Sequence, residues 1–483
     1  MISLKLKTWA LAFAALSLAA CDDDDDKTAP HAPTTDTDTT TTTTISSTTI
    51  EANRFVSDVM EEYYYWNSEL PNLDYTKQSN TTAYFYNLLS SKDKFSFITD
   101  DAEGYFSEEE GNYTSFGWTY TLSLVSSGSD EVVAIITQVF DNTPAAAAGA
   151  RRGDVIYTIN GTQMNTSNYK SLIALTSNVT FGGTHAAEEI SYTMTAAEIS
   201  VSPIAKTATF TLDNGQLAGY LLYNDYKDPF LDDLKAVFDD FKSKGVSEMI
   251  LDLRYNHGGS ITSEITLNSA LAPEDVVKAH DPMMYYYFNK TLQALYPDYY
   301  ARQNTAEYFV DDIANLNLSR LVVLCGGETY SAAEATIWDL KPFMDVVTIG
   351  STTGGKNTMM YVLSPSDFTY SQTGKPYYST TINNWLIFPI VAVYMNANYE
   401  AFDTTDGDGM DPDFEVNELS GLMTSGLYDL GDPKERLLMS ALEYLNTGSV
   451  TTNKALAADA PRTVTTSLAE KPKLLYKKHK VNQ

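Results

Sequence analysis

Between about residues 205 and 447 the chain alternates short, wholly apolar runs with longer amphipathic stretches, and this alternation restricts the fold more than any other feature. Residues 216–223 read as a strand. Residues 229–244 read as a helix, because Leu231, Leu234, Phe238 and Phe241 recur on one face and Gly245 follows as a C-cap. Met249-Ile250-Leu251-Asp252-Leu253 is a short buried strand. A second unit joins Leu321-Val322-Val323-Leu324-Cys325 to a helix starting near Ser331, and Val346-Val347-Thr348-Ile349 supplies the next strand. Strand, helix, strand order implies an α/β layer with a parallel component. In such layers the strand ends are where sites form.

The rest of the chain divides around this core. At 483 residues there is room for two or three compact domains with linkers. Residues 50–113 carry the helical pattern Phe55-x-x-x-Val59-Met60, the aromatic block Tyr63-Tyr64-Tyr65-Trp66, a stop at Pro71 and a second amphipathic stretch around residues 84–89, which predicts a small helical N-terminal domain. Residues 114–204 change to short β-rich runs broken by turn signals such as Asn160-Gly161. There, Thr143-Pro144-Ala145-Ala146-Ala147-Ala148-Gly149-Ala150-Arg151-Arg152-Gly153-Asp154-Val155-Ile156, followed by Ile159-Asn160-Gly161, resembles a PDZ domain of the bacterial protease type. The resemblance implies a peptide-binding loop at Phe116-Gly117-Trp118, in place of the usual two-glycine form. The α/β region is expected over residues 205–447 and a polar, mobile tail over 448–483.

The first residues read as an export address. Lys5 and Lys7 precede a short apolar run that ends in Leu18-Ala19-Ala20-Cys21, too short to span a membrane permanently. Residues 1–20 are therefore expected to form a signal peptide. The tetrapeptide resembles a bacterial lipobox, which implies lipidation of Cys21. Five aspartates and a Thr-rich stretch follow, so residues 21–49 are expected to be a disordered tether. The acidic cluster behind the cysteine resembles the signal that sends some Gram-negative lipoproteins outward, implying an outer membrane lipoprotein on the periplasmic or cell-surface side. A formal charge of −31 argues against a nucleic-acid partner, because phosphates would be repelled.

Chemistry-bearing residues gather at the strand ends. Gly326-Gly327-Glu328-Thr329-Tyr330-Ser331-Ala332-Ala333-Glu334 leaves one strand and opens a helix. Taken alone, Ser331-x-x-Glu334 is a helix capping box. Downstream, Gly350-Ser351-Thr352-Thr353-Gly354-Gly355-Lys356 ends the next strand. Upstream, Leu251-Asp252-Leu253-Arg254-Tyr255-Asn256-His257-Gly258-Gly259 ends another. A serine hydroxyl needs a neighbour that takes its proton, and lysine serves only as the neutral amine, which burial favours.

Together these strings resemble the C-terminal processing peptidases, or tail-specific proteases, in which the lysine of a Gly-Lys motif follows the serine by 25 positions, as Lys356 follows Ser331. The Asp-Leu-Arg string and Gly409-Met410-Asp411-Pro412-Asp413 belong to the same pattern. The resemblance implies ClpP/crotonase-like sheet and helix layers in the α/β catalytic domain, beside a PDZ-like β-rich domain and the small helical one. It implies a serine endopeptidase acting on polypeptide substrates through an acyl-enzyme. Ser331 would be the nucleophile, Lys356 the base, and the amides of Ala332 and of Gly258 or Gly259 the oxyanion hole. Neither cofactor nor metal is expected.

Departures from that pattern leave alternatives open. Pro342 and Met360 stand where many relatives carry a third catalytic group, with Asp339 and Asp345 as conceivable substitutes. His257 offers a rival base for a Ser-His hydrolase, and a peptide-binding scaffold without turnover is a further reading. Asp252 and Arg254 read as a structural anchor, Cys325 as a buried core cysteine, and the acidic run from Thr404 to Glu415 as a turn rather than a calcium loop. Cys21→Ser should move the protein from the membrane to the soluble fraction and abolish metabolic labelling with palmitate. Unchanged membrane association would refute the anchor.

Overall fold

Five parallel strands and one antiparallel strand build the central sheet of the computed structural model, in the order Ile204–Thr211, Leu217–Tyr223, Val246–Asp252, Arg320–Cys325, Asp345–Gly350 and Phe414–Glu415. The described residues are 45–126, 128–369, 376–404, 409–422 and 426–451, with the backbone of a strand at Tyr476–Lys478. The expected signal peptide, Cys21, the tether to residue 44, the acidic turn at 405–408 and most of the tail lie outside them.

Alternate side chains of these strands enter two different cores. Leu221, Met249, Leu251, Leu321 and Val323 join the main core, whereas Tyr220, Leu222, Ile250, Val322 and Leu324 join a second one closed by Leu437, Leu438, Ala441 and Leu445 of the Arg436–Thr447 helix. Burial on both faces explains why the strands read as continuous apolar runs. The Leu231–Lys244 helix covers the main core with Leu234, Phe238 and Phe241, and Gly245 caps it at φ 77°.

A second sheet runs in the order Ala306–Tyr308, Pro282–Phe288, Ile390–Asn396, Thr358–Val362, with Tyr476–Lys478 alongside the last. The tyrosine-rich strand Pro282–Phe288 buries Met283, Met284, Tyr286 and Phe288 and so belongs to the core. The Ala332–Leu340 helix contacts both sheets and packs against the Ile261–Leu271 helix.

The N-terminal segment begins earlier than expected. Its first helix, Ser47–Tyr63, starts inside the expected tether, because the Ser46 hydroxyl accepts from the Thr49 amide at 3.0 Å and caps it. The second helix is Thr81–Leu88. These two helices do not enclose a core separate from the main one. Their apolar faces instead join the main core: the Phe55 ring meets those of Phe368 and Tyr378 edge-on at 5.8 and 5.2 Å. The segment then pairs Phe97–Thr99 antiparallel with Leu386–Phe388.

The β-rich region does have its own core, built on Phe116, Ile136, Ile156, Met164 and Val179. Its sheet runs Trp118–Leu124, Val132–Val139, Val155–Ile159, Val179–His185, Glu188–Met194, leaving Trp118–Leu124 at an edge. Asn160 and Gly161, both at positive φ, make the tight turn between Val155–Ile159 and Thr162–Gln163.

A buried ionic cluster joins this region to the central sheet. Arg254 makes paired bonds to Asp252 (2.9 and 2.8 Å) and to Glu435 (2.7 and 2.9 Å). Arg152 of the β-rich region donates to Thr137 O, to Tyr255 Oη and to Glu418 Oε2, and Glu418 also accepts from Arg254. Burial opposes ionisation of Glu435, but Arg254 and Arg152 overcome it and hold the carboxyl down at about 2. Glu435 therefore contributes stability above the ordinary glutamate range, lost as pH falls through about 2. Arg254→Met leaves Asp252 and Glu435 buried without their partner and should cost about 3–5 kcal/mol in urea unfolding. A loss below about 1 kcal/mol would contradict this reading of the cluster.

Candidate active site

The parallel order of Val246–Asp252, Arg320–Cys325 and Asp345–Gly350 brings three loops out on one edge, and hydrogen bonds tie them together. Tyr330 N–H donates to Asn256 O (3.0 Å), Thr329 Oγ1 to Leu253 O (2.8 Å) and Gly354 N–H to Thr329 O (2.9 Å). Ser331, Lys356, Gly258, Gly259 and Ala332 are thereby gathered at one place, and all five are buried.

Ser331 immediately precedes the Ala332–Leu340 helix with φ 59° and ψ −115°, a conformation that costs a non-glycine residue on the order of 1–3 kcal/mol. Glu334 holds it there. Its fully buried carboxylate accepts from the amides of Ser331 (3.0 Å), Lys356 (2.8 Å) and Gly355 (2.8 Å) and from Thr353 Oγ1 (2.5 Å). One side chain thus fixes the backbones of both the serine and the lysine. The glutamate half of the capping box is made, and its carboxylate does far more than cap. Gly409 explains part of its motif: a Cβ there would sit 2.1 Å from Thr353 Oγ1 and 2.6 Å from Glu334 Oε1. Asp413 completes the buttress, accepting from Thr348 N–H at 2.8 Å and Oγ1 at 2.9 Å.

Lys356 Nζ lies 3.1 Å from Ser331 Oγ and donates to Thr358 O at 2.8 Å. Burial pushes the amine down to about 7, against the upward pull of Glu334 and Asp93. Phe95, from the N-terminal segment, places its ring 5.8 Å from Nζ. Tyr394 Oη donates to Ser331 O (3.3 Å) and Lys356 O (3.2 Å), bracing both backbones from the second sheet.

The glycine turn closes over the helix N-terminus. A Cβ on Gly258, at φ 93°, would lie 2.9 Å from Ala332 N, and one on Gly259, at φ 138°, 2.3 Å from Tyr226 O. Only glycine allows both approaches. The Gly258 amide is already engaged, donating to Asn256 Oδ1 at 2.8 Å.

Other candidates fall elsewhere. Met360 is buried beside Val362, Leu386 and Phe388. Asp345 is exposed, and Asp339 is buried on the Ala332–Leu340 helix; the acids that act on Lys356 are Glu334 of that helix and Asp93 of the N-terminal segment. His257 bonds through Nε2 to Glu328 Oε2 at 2.8 Å, not to Ser331. Burial pushes the Cys325 thiol up to about 12, leaving it inert. Phe116 and Trp118 pack edge-on against Phe181 and line an apolar cavity of the β-rich region with Tyr120, Ile156 and Ile173. Gly117, at φ 84°, abuts Thr143. Among the described residues no group of three His, Cys, Asp or Glu side chains could hold a metal ion. The clamp role of Glu334, the brace of Tyr394 and the approach of Asp93 were not foreseen; only Glu334 had a sequence signal, its spacing from Ser331.

Two family models match the chain: Peptidase family S41 over residues 218–416 and the Peptidase S41 N-terminal domain over residues 51–97. A structure from Bacteroides fragilis NCTC 9343, assigned to the S41 proteases, is 27% identical, covers 81% of this chain and 96% of its own, and superposes with a TM-score of 0.61. The photosystem II D1 C-terminal processing protease is 18% identical, covers 77% and 94%, and has a TM-score of 0.45. No curated protein matches.

Glu334→Gln replaces one acceptor oxygen with a donor and leaves a buried amide or hydroxyl unpaired, so unfolding stability should fall by about 1–3 kcal/mol. Exposed Asp345→Asn should change it by less than about 0.5 kcal/mol. Equal stabilities in denaturant unfolding would remove Glu334 from its role as clamp.

Proposed function

Because this chain belongs to peptidase family S41 and is a serine-type peptidase, we propose that it is an endopeptidase cleaving extended or C-terminal polypeptide segments with Ser331 as nucleophile and Lys356 as general base. The observation that carries the reading is the 3.1 Å approach of a fully buried Lys356 Nζ to Ser331 Oγ. Only a neutral amine has the lone pair the step needs, and burial supplies it near neutrality.

In this scheme Oγ attacks the carbonyl carbon while its proton passes to Nζ. The carbonyl oxygen takes the negative charge opposite the Ala332 amide, at the positive end of its helix. Gly259 is the better second donor, since the Gly258 amide serves Asn256. The new ammonium returns its proton to the leaving amine as the C–N bond breaks. Water then attacks the Ser331 ester, giving its proton to Nζ, and as the acyl C–Oγ bond breaks the ammonium returns that proton to Oγ, so the acid leaves and the dyad is restored. With Pro342 and Met360 at the usual third positions, the Thr358 carbonyl orients the amine instead.

The layers around the site are read as ClpP/crotonase-like, and residues 114–204 as a PDZ module. Its edge strand Trp118–Leu124 and the cavity beside Phe116 and Trp118 suit a chain end added as a further strand. Lipid on Cys21 would hold the enzyme at the outer membrane. A second reading, a peptide-capturing scaffold without turnover, draws on the complete burial of Ser331.

Ser331→Ala should abolish cleavage of an unstructured polypeptide, and Lys356→Ala should lower kcat/KM by about 10²–10⁴-fold with the fold intact. For the wild type, kcat/KM should rise with pH through a midpoint near 7 as the amine loses its proton. A fluorophosphonate should label Ser331. No labelling would favour the scaffold, and full activity in Lys356→Ala would refute the dyad.

A further inference from the structure

Two buried carboxyls take no part in the proposed chemistry yet sit on the helices that carry it. Glu264 belongs to the Ile261–Leu271 helix, which opens just after Gly258-Gly259. Asp339 belongs to the Ala332–Leu340 helix, which opens at Ser331. The helices pack together, both side chains are fully buried, and Asp339 acts electrostatically on Glu264.

Hydrogen bonding around the pair lacks donors. Glu264 Oε1 accepts from Asn268 Nδ2 at 2.5 Å. Glu264 Oε2, both Asp339 carboxyl oxygens and Asn268 Oδ1 are buried with no hydrogen-bond partner, and so is the hydroxyl of Tyr286, on which both acids act. Ionised carboxylates would add only acceptors here, whereas two carboxylic acids bring two O–H donors. Nor does a cation offset the charge. Glu307 acts on Glu264, and both acids act on Tyr394, which Glu334 and Tyr226 also face. Asp228 accepts from Ser263 on the same helix, and among the described residues no lysine, arginine or histidine acts on either acid. An uncompensated buried carboxylate is expensive, so the neutral form is favoured.

We propose that Glu264 and Asp339 form a neutral acid pair whose two O–H groups supply the donors lacking between the helix behind the glycine turn and the helix behind Ser331, and that ionising the pair loosens the site at high pH. The two are positioning residues, and that role rests on the proposed assignment of Ser331 and the glycine turn; the acid pair itself does not. Burial holds both carboxyls well above the usual carboxylate range. Their contribution is therefore full below the unfolded values, about 4, and is lost as pH rises through the raised folded ones.

Full-length wild type, Glu264→Gln and Asp339→Asn test the pair. At neutral pH, infrared difference spectra should show a protonated carboxyl C=O band in the wild type that diminishes in each variant and bleaches as the wild type is taken to high pH. The melting temperature of the wild type should fall from pH 5 to pH 9, and that of the variants should fall less. The alkaline limb of kcat/KM should move to higher pH in both variants while the limb near 7 stays. A wild type without the band overturns the pair, even where no variant folds. A band with an unmoved alkaline limb overturns the positioning role. Loss of the dyad assignment alone would leave the band and the melting behaviour as predicted.

Discussion

Everything at the proposed active site depends on removing one lysine from water. Lys356 is fully buried, and the nearby charges of Glu334 and Asp93 do not restore what it loses in hydration, so its amine titrates near 7 instead of its ordinary 10.5. A lysine in water would be a cation and could not take a proton from Ser331. Sheet edge, glycine turn, second sheet and N-terminal segment all serve to enclose it. Phe95 and Asp93 arrive from the N-terminal segment, Tyr394 from the second sheet and Thr358 from the strand after the glycine loop.

Enclosure alone would not give a usable distance. Glu334 converts it into geometry, because a single carboxylate binds the Ser331 amide on one side and the Gly355 and Lys356 amides on the other. The strained φ of Ser331 persists because this bond and the helix behind it over-determine the residue. Gly409 belongs to the same device, leaving room for the carboxylate where any side chain would displace it.

The central strands were legible in sequence because burial on both faces leaves them wholly apolar, and the turn at Asn160-Gly161 because few residues accept positive φ. Ser331 and Lys356 stood at strand ends beside glycines, but their pairing came from the resemblance to the C-terminal processing peptidases, in which the lysine follows the serine by 25 positions. Other features depend on residues brought together from far apart. Arg152 meets Glu418 across 266 positions, and nothing local in either string marks them as partners. The helices of residues 47–88 were legible from their amphipathic pattern, but that pattern does not say which surface covers it. The Gly258 amide looked like a free donor because a glycine turn does not reveal that Asn256 folds back to accept from it.

The most direct test of the account is the ionisation of Lys356 itself. With ¹³C- and ¹⁵N-labelled lysine, and Lys356→Arg to assign the signal, the side-chain resonance of Lys356 can be followed against pH in the resting protein. A midpoint near 7 is predicted from its burial. A midpoint near the ordinary 10.5 would mean that the lysine is a cation at neutral pH, and the dyad would fail.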